Sequence, residues 1–341
     1  MRKVLFKKID EKTIECLACN HYCKIVDGET GICGVRKNES GKLKLLTENL
    51  LFSYAVDPIE KKPLYHFLPG TSIFSFGSPG CNFRCEFCQN WELSQSTKVS
   101  KDVKVPFNIN PEKITPEEIV EFCIKKKIPS IAYTYNEPSI SFEFNYKVAL
   151  LAKENGLKNV YVTNGYYSKE QLKKWVGILD AANIDLKSFS EKFYQKICGA
   201  KLAPVLKNIE ETFKLGIWVE ITTLVIPKEN DSDEELSRIA RFIASISKDI
   251  PWHISAFHPD YKMLNKKETP LETMIKAYKI GKSEGLNYVY LGNVGVDGLS
   301  DTSCPKCGKV LIKRWWNSVK KIYSKDGKCS KCRETLAGVW R

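Results

Sequence analysis

A chain of 341 residues with 43% hydrophobic and 27% charged content is long enough for one large core with small modules, and neither value fits a disordered polymer. The N-terminal stretch Met1 to Lys8 lacks the apolar segment of a secretion signal, and no run approaches the roughly 18 apolar residues of a membrane span. A cytoplasmic protein with no membrane partner is expected. The formal net charge is +13, and from Ser300 onward eleven Lys or Arg stand against three acids. Such a basic segment can meet nucleic acid, an acidic partner or an anionic substrate, or simply face water.

Thirteen cysteines without a secretion signal favour metal thiolates over disulfides. Residues 1–50 read as a small module. Cys16, Cys19, Cys23 and Cys33 have C-x2-C-x3-C-x9-C spacing, and Gly28, Gly31 and Gly34 suggest loops held by metal. This is not a standard finger, and zinc and an auxiliary iron–sulfur cluster both suit four soft thiolates. Residues 51–71 connect it to the next region.

From residue 72 to 298 the chain alternates strand-like runs with amphipathic helical stretches. Strands are expected at Ser72–Phe76, Ser130–Tyr135, Asn159–Thr163, Ala182–Leu186, Trp218–Ile226, Trp252–Phe257 and Tyr288–Leu291. Helix starts are expected at Thr115-Pro-Glu-Glu118, Ser168-Lys-Glu-Gln171, Asp231-Ser-Asp and Thr269-Pro-Leu-Glu272. Repeated strand–helix–strand units demand parallel strands with right-handed crossovers. That pattern suits an α/β barrel, full or partial, with a doubly wound open sheet as the alternative. Conspicuous polar residues fall at the C-terminal strand ends, the face on which such barrels gather their chemistry. They include Asn136-Glu137, Thr163-Asn164, Asp185 with Lys187, and His258. Two cysteines stand apart. Cys123 reads as helix core, and Cys198 as either a packed thiol or a group at the reactive end.

The densest signal is Gly-Cys81-Asn-Phe-Arg-Cys85-Glu-Phe87-Cys88. Three thiolates at C-x3-C-x2-C spacing can hold three irons of a cubic cluster from one loop. An ordinary cluster takes four cysteines, so the fourth iron stays open, as catalysis requires. This pattern resembles the signature of the radical S-adenosylmethionine (SAM) superfamily. The resemblance implies a partial (β/α)6-type TIM barrel, a 4Fe-4S cluster on Cys81, Cys85 and Cys88, and SAM on the open iron, with Phe87 near the adenine. Asn136-Glu137-Pro138 takes the place of the superfamily's Gly-Gly-Glu-Pro motif, which holds the methionyl amine of SAM, with Tyr135 and Asn136 where glycines are expected. Thr163-Asn164-Gly165 and Asp185-Leu-Lys187 resemble motifs of pyruvate formate-lyase activating enzymes that touch the ribose and the methionine carboxylate. His258 matches a SAM-contacting histidine of the same enzymes.

Across essentially the whole chain the motifs resemble the radical SAM enzymes of the AmmeMemoRadiSam system. The marks include Gly31-Ile-Cys33-Gly-Val-Arg36, Ala256-Phe-His258-Pro-Asp-Tyr-Lys-Met263 and Cys304-Pro-Lys-Cys307-Gly. The resemblance implies reductive cleavage of SAM to a 5′-deoxyadenosyl radical, which takes hydrogen from a small-molecule or protein substrate. It implies an electron donor such as ferredoxin or flavodoxin, and Memo and AMMECR proteins as partners.

Residues 299–341 form a third module. Cys304, Cys307, Cys329 and Cys332 make two C-x2-C knuckles, a zinc-ribbon or rubredoxin-like pattern with a closed site for zinc or iron. Its basic residues, Lys306, Lys309, Lys313, Arg314, Lys320 and Lys321, surround Trp315 and Trp316. Packing against the barrel is the first expectation for this surface. The competing function is a zinc-rich nucleic-acid-binding or scaffold protein without radical chemistry.

Overall fold

A computed structural model describes residues 4–97, 112–324 and 326–340. They form two compact units. The first holds the described residues up to Val56, those within Ile73–Asp180, and Ile197–Ala200; the second holds Asp57–Ser72, Ala181–Lys196 and the residues from Lys201 onward.

In the first unit, β1 (Ser72–Gly77), β2 (Ser130–Tyr133) and β3 (Lys158–Thr163) run parallel. The middle strand β2 pairs Ile131 with Phe74 on one side and Asn159 on the other. All four β2 residues are buried, as a strand covered on both faces must be. Helix α1 (Pro116–Lys125) starts with the expected capping box: the Thr115 hydroxyl accepts from Glu118 N at 3.2 Å, and the Glu118 carboxylate accepts from Thr115 N at 2.7 Å. Cys123, on this helix, is fully buried, in keeping with a core thiol. Helix α2 (Phe142–Glu154) follows β2. Helix α3 (Lys169–Trp175) is capped by Ser168, which accepts from Gln171 N. The reciprocal bond of a capping box does not form, because the Ser168 N–H donates to the Ala18 carbonyl at 3.1 Å; the Gln171 Nε2 donates to the Ser139 carbonyl at 3.0 Å.

The N-terminal module belongs to this unit. Thr13–Cys16 pairs antiparallel with Phe6–Lys8 and with Lys24–Val26, burying Ile14 and Ile25. Arg36–Glu39 and Lys42–Leu45 form a second hairpin.

In the second unit, β4 (Ala181–Asp185), β5 (Trp218–Val225), β6 (Trp252–Ala256) and β7 (Val289–Gly292) are parallel in that order. Asp185, Thr222, His253 and Tyr290 stand in one row of the register. Helices α4 (Leu202–Lys214), α5 (Asp233–Ile246) and α6 (Leu271–Ser283) accompany the strands. The start expected at Asp231-Ser-Asp falls one residue on, with Ser232 capping α5 by accepting from Glu235 N. Thr269 does not cap α6, whose cap is Pro270. Its hydroxyl instead donates to the Val225 carbonyl at 2.6 Å and accepts from Phe257 N at 2.8 Å, joining the ends of β5 and β6.

The segment Asp57–Ser72 covers the sheet face that carries Asn183, Glu220, His253 and Tyr290. The Glu220 carboxylate, buried near the start of β5, accepts from the backbone N–H groups of Tyr65 and His66, from Trp218 Nε1 and from His253 Nε2. Burial alone would raise this carboxyl; the donors, His253 foremost, hold it below the usual range. The C-terminal module, with strands β8 (Thr302–Ser303), β9 (Val310–Trp315) and β10 (Ser318–Ile322), joins the same layer. Arg314, 1% exposed, donates to Thr302 Oγ1 and to the Tyr65 carbonyl, and lies over the Tyr65 ring. These contacts fall near the N-terminal ends of β5, β6 and β7. That is the end of a parallel strand associated with stability rather than chemistry.

Candidate cluster and cofactor site

The loop after β1 carries Cys81, Cys85 and Cys88. The first two are buried and the third is half-buried. Phe83 N–H donates to Cys81 Sγ at 3.3 Å, a bond that favours a thiolate. The same pattern recurs at Cys329, which accepts from Lys331 N at 3.4 Å. Phe83 is 1% exposed, with its ring set edge-on to Tyr166 at 5.1 Å, so it is loop core. Phe87 is also buried.

The next two strand-end loops converge on this segment. After β2, Asn136 donates to the Gly80 carbonyl at 2.8 Å, beside Cys81, and accepts from Ser78 N. Tyr135 stands at φ +68°, so the left-handed backbone that the resemblance assigns to glycine is kept without one. Glu137, 1% exposed, accepts from Ser139 N, Thr163 Oγ1 and Asn164 N at 2.8–3.0 Å. Its carboxylate therefore orients the loops after β2 and β3. Burial pushes its pKa up against these donors. After β3, Asn164 Nδ2 donates to Asn82 Oδ1 at 2.8 Å, linking this loop to the residue after Cys81.

Asn82 is a site residue that the motif reading passed over. It is 1% exposed, and its Nδ2 has no hydrogen-bond partner among the described residues. A polar residue between two metal-ligating cysteines was the available signal.

One further segment meets the cysteine loop. Arg84 N donates to the Cys198 carbonyl at 2.8 Å and Glu86 N to the Ile197 carbonyl at 3.1 Å. A side chain at Gly199 would collide with Arg84. Cys198 itself is fully buried, consistent with a packed thiol.

The remaining sequence candidates lie in the second unit. Lys187 Nζ and Asp185 Oδ2 form an ion pair at 2.8 Å just past β4. Two residues apart, they meet on one side of the chain as an alternating strand requires. His258, after β6, is exposed.

The two four-cysteine groups differ. In the C-terminal module the sulfurs of Cys304, Cys307, Cys329 and Cys332 all lie within 4.8 Å of one another. Two of the pairs are 3.6 Å apart, near the about 3.8 Å that tetrahedral coordination with 2.3 Å zinc–sulfur bonds would give. In the N-terminal module, Arg36 is 1% exposed and its Nε donates to Cys16 Sγ at 3.1 Å. Its two terminal nitrogens bind Glu143, which holds that carboxyl below the usual range despite burial. Burial pushes the Cys19 thiol well up, and the thiols of Cys16, Cys33 and Cys23 push it further. A cation bound among these sulfurs would relieve the mutual repulsion of their thiolates.

The donor set of the first loop fits an iron–sulfur cluster: three cysteines, two of them buried, with an N–H···S bond already formed. Among the described residues no helix is long and apolar enough to cross a membrane.

Residues 76–243 match the Radical SAM superfamily. An uncharacterized protein of Methanocaldococcus jannaschii, MJ0808, is 43% identical over 335 residues, covering 98% of this chain and 97% of its own length. A putative glycyl-radical enzyme activating enzyme of the same organism, MJ1632, is 29% identical over 237 residues, 68% of this chain and 83% of that one. The crystal structure of a radical SAM methyltransferase from Sphaerobacter thermophilus superposes with a TM-score of 0.50 at 14% identity, covering 72% of this chain and 71% of that one. At that identity the likeness speaks for the fold alone.

Proposed function

We propose, from the match of residues 76–243 to the Radical SAM superfamily, that this chain is an enzyme with a 4Fe-4S cluster on Cys81, Cys85 and Cys88 and SAM as co-substrate. When bound, the pair supplies reductive cleavage of SAM to a 5′-deoxyadenosyl radical, which takes hydrogen from a small-molecule or protein substrate. The observation that carries this reading is the convergence of three consecutive strand-end loops, cross-linked through Asn136–Gly80, Glu137–Asn164 and Asn164–Asn82, around the first cysteine.

In this reading Glu137 and Thr163 keep the two neighbouring loops in register, and Asn136 and Asn164 hold the peptide on either side of Cys81. Phe87 backs the adenine. Asp185 is a partner for ribose hydroxyls, and Lys187 for the methionine carboxylate. His258 is the exposed member of the set. In each unit these groups lie at or just past the C-terminal ends of parallel strands. Ferredoxin or flavodoxin is the electron donor in this proposal, and Memo and AMMECR proteins are candidate partners. The resemblance to activating enzymes supports a polypeptide substrate.

The test is anaerobic reconstitution with iron and sulfide, then incubation with SAM and dithionite. Release of 5′-deoxyadenosine is expected from the full chain and not from the Cys81→Ala/Cys85→Ala/Cys88→Ala variant. Equal release from both would overturn the assignment.

A further inference from the structure

The N-terminal module touches the peptide on both sides of Cys81. On the upstream side lies the Cys33 carbonyl, which also accepts at 2.8 Å from Thr97 Oγ1, beyond the cysteine loop. A Cβ at Gly80 would lie 2.5 Å from that same carbonyl oxygen. Gly80 stands at φ +89°, and Gly34 at φ +75°, where a Cβ would lie 2.5 Å from Thr97. Two loops therefore meet backbone to backbone, and glycine permits both the approach and the left-handed turns. On the downstream side, His21 Nε2 lies 2.9 Å from the Asn82 carbonyl. The His21 ring is 4.9 Å from that of Tyr166, which in turn meets Phe83. Asn20 Nδ2 donates to the Tyr167 carbonyl at 2.7 Å, so the same turn is also tied to the loop after β3.

Both contacts come from residues of the first cysteine motif, one through a backbone carbonyl and one through an imidazole. Cys33 is one of the four N-terminal cysteines, and His21 lies between Cys19 and Cys23. The turn that bears His21 is also held by Asn20 N to the Tyr166 carbonyl and by the Tyr22 hydroxyl to Glu170, each at 2.9 Å, and the Cys33 turn by Gly34 N to the Gly31 carbonyl at 2.8 Å. Their module is built from strands of three or four residues. A small module of this kind takes much of its folding free energy from the metal it binds. The Arg36 guanidinium on Cys16 Sγ marks the group as built for anionic sulfur.

We infer that a thiophilic metal centre on Cys16, Cys19, Cys23 and Cys33 positions the Cys81–Cys88 loop, so that loading of the N-terminal centre governs assembly of the catalytic cluster. This rests on the reading of Cys81, Cys85 and Cys88 as cluster ligands. His21 and Cys33 act as a clamp on residues 80 and 82, and His21 is a positioning residue. The N-terminal metal acts through chain geometry, and no electron needs to pass through it.

The experiment uses the full chain, anaerobically reconstituted, and reads metal content together with the SAM-sensitive EPR signal of the dithionite-reduced protein. That signal reports the open-iron cluster whether the N-terminal centre holds zinc or iron. The Cys16→Ala/Cys19→Ala variant is expected to lose the signal while the Cys304 site keeps its metal. His21→Ala keeps all four N-terminal thiols. It is expected to retain the N-terminal metal but to weaken cluster loading by roughly ten-fold, the usual cost of an outer-shell partner. If the double variant fails to fold, His21→Ala decides alone. A full, unshifted EPR signal in His21→Ala, or in a folded double variant, overturns the inference. A wild-type chain with no SAM-sensitive signal would sink the proposed function instead, so the two failures are distinguishable.

Discussion

The hydroxyl of Tyr290 lies 2.6 Å from Nε2 of His66, whose Nδ1 lies 2.7 Å from the Ala337 carbonyl. A carbonyl only accepts, so Nδ1 carries the proton and Nε2 accepts from Tyr290. Tyr290 in turn accepts from Thr302 at 2.9 Å, and Thr302 accepts from Arg314 at 2.7 Å. The chain of donors runs in one direction from a buried guanidinium in the C-terminal module to a carbonyl of the same module, passing through a neutral histidine.

This arrangement predicts acid sensitivity. Burial first, and Arg314 and His253 after it, lower the His66 pKa from 6.5 to about 4. Between those values the unfolded chain binds the proton and the folded chain does not, so stability rises with pH across the window. The contribution is complete above pH 6.5 and is lost progressively as the pH falls toward 4, by about 3 kcal/mol in all. Urea unfolding of the wild type and His66→Gln at pH 7 and pH 5 checks it: the wild type should lose more stability on acidification. Parallel losses would place the acid sensitivity elsewhere.

Arg314 and Glu60 are both fully buried, 3.6 Å apart. Glu60 also accepts from Gly70 N, yet burial still raises its pKa. Replacing Arg314 with Met should cost about 3–5 kcal/mol, because Glu60 is left buried without its counter-charge. The Arg314→Met/Glu60→Gln double variant should recover part of that loss. Denaturant midpoints of the two variants give the comparison. A double variant no more stable than the single one would show the ion pair to be incidental.

Removal of residues 299–341 is expected to damage the second unit. It deletes Thr302, Arg314 and Ala337, and so leaves Tyr290, His66, Glu60 and the Tyr65 carbonyl short of partners in a buried layer. The truncated chain should be insoluble or should melt without the cooperative transition of the full chain. A cooperative melt at an unchanged temperature would make the module a mere appendage.

Asp185 and Lys187 already pair with each other, so SAM would have to share or replace that contact. Under the proposed function, Asp185→Ala or Lys187→Ala should weaken SAM binding by about 1.5–3 kcal/mol, the worth of a charge-assisted hydrogen bond. Iron content should stay unchanged. Equilibrium dialysis with labelled SAM reads the affinity, and undiminished binding in both variants would return the pair to a structural role.

The sequence by itself determined the strands, the order of the motifs and the three cysteine groups. Strand identity follows from short runs of Ile, Val and aromatics that must be buried on both faces, and all seven expected strands form with ends shifted by no more than two residues. The Thr115 box was equally legible, because a cap is set by residues within one helical turn. What failed or was missed depends on partners far along the chain. Thr269 leaves α6 because buried carbonyl and amide groups from β5 and β6 need its hydroxyl more than an exposed helix start does. The Ser168 N–H leaves its capping box for the Ala18 carbonyl, a partner far back in the chain. His66 and Glu220 carry no motif; they matter because folding buries them together, where every polar atom must find a partner. Asn82 and His21 sit inside motifs that name only their cysteines, and only the folded chain brings His21 to the carbonyl beside Cys81. Spacing along the chain therefore sets which residues can hold metal, and packing at a distance decides what holds those residues in place.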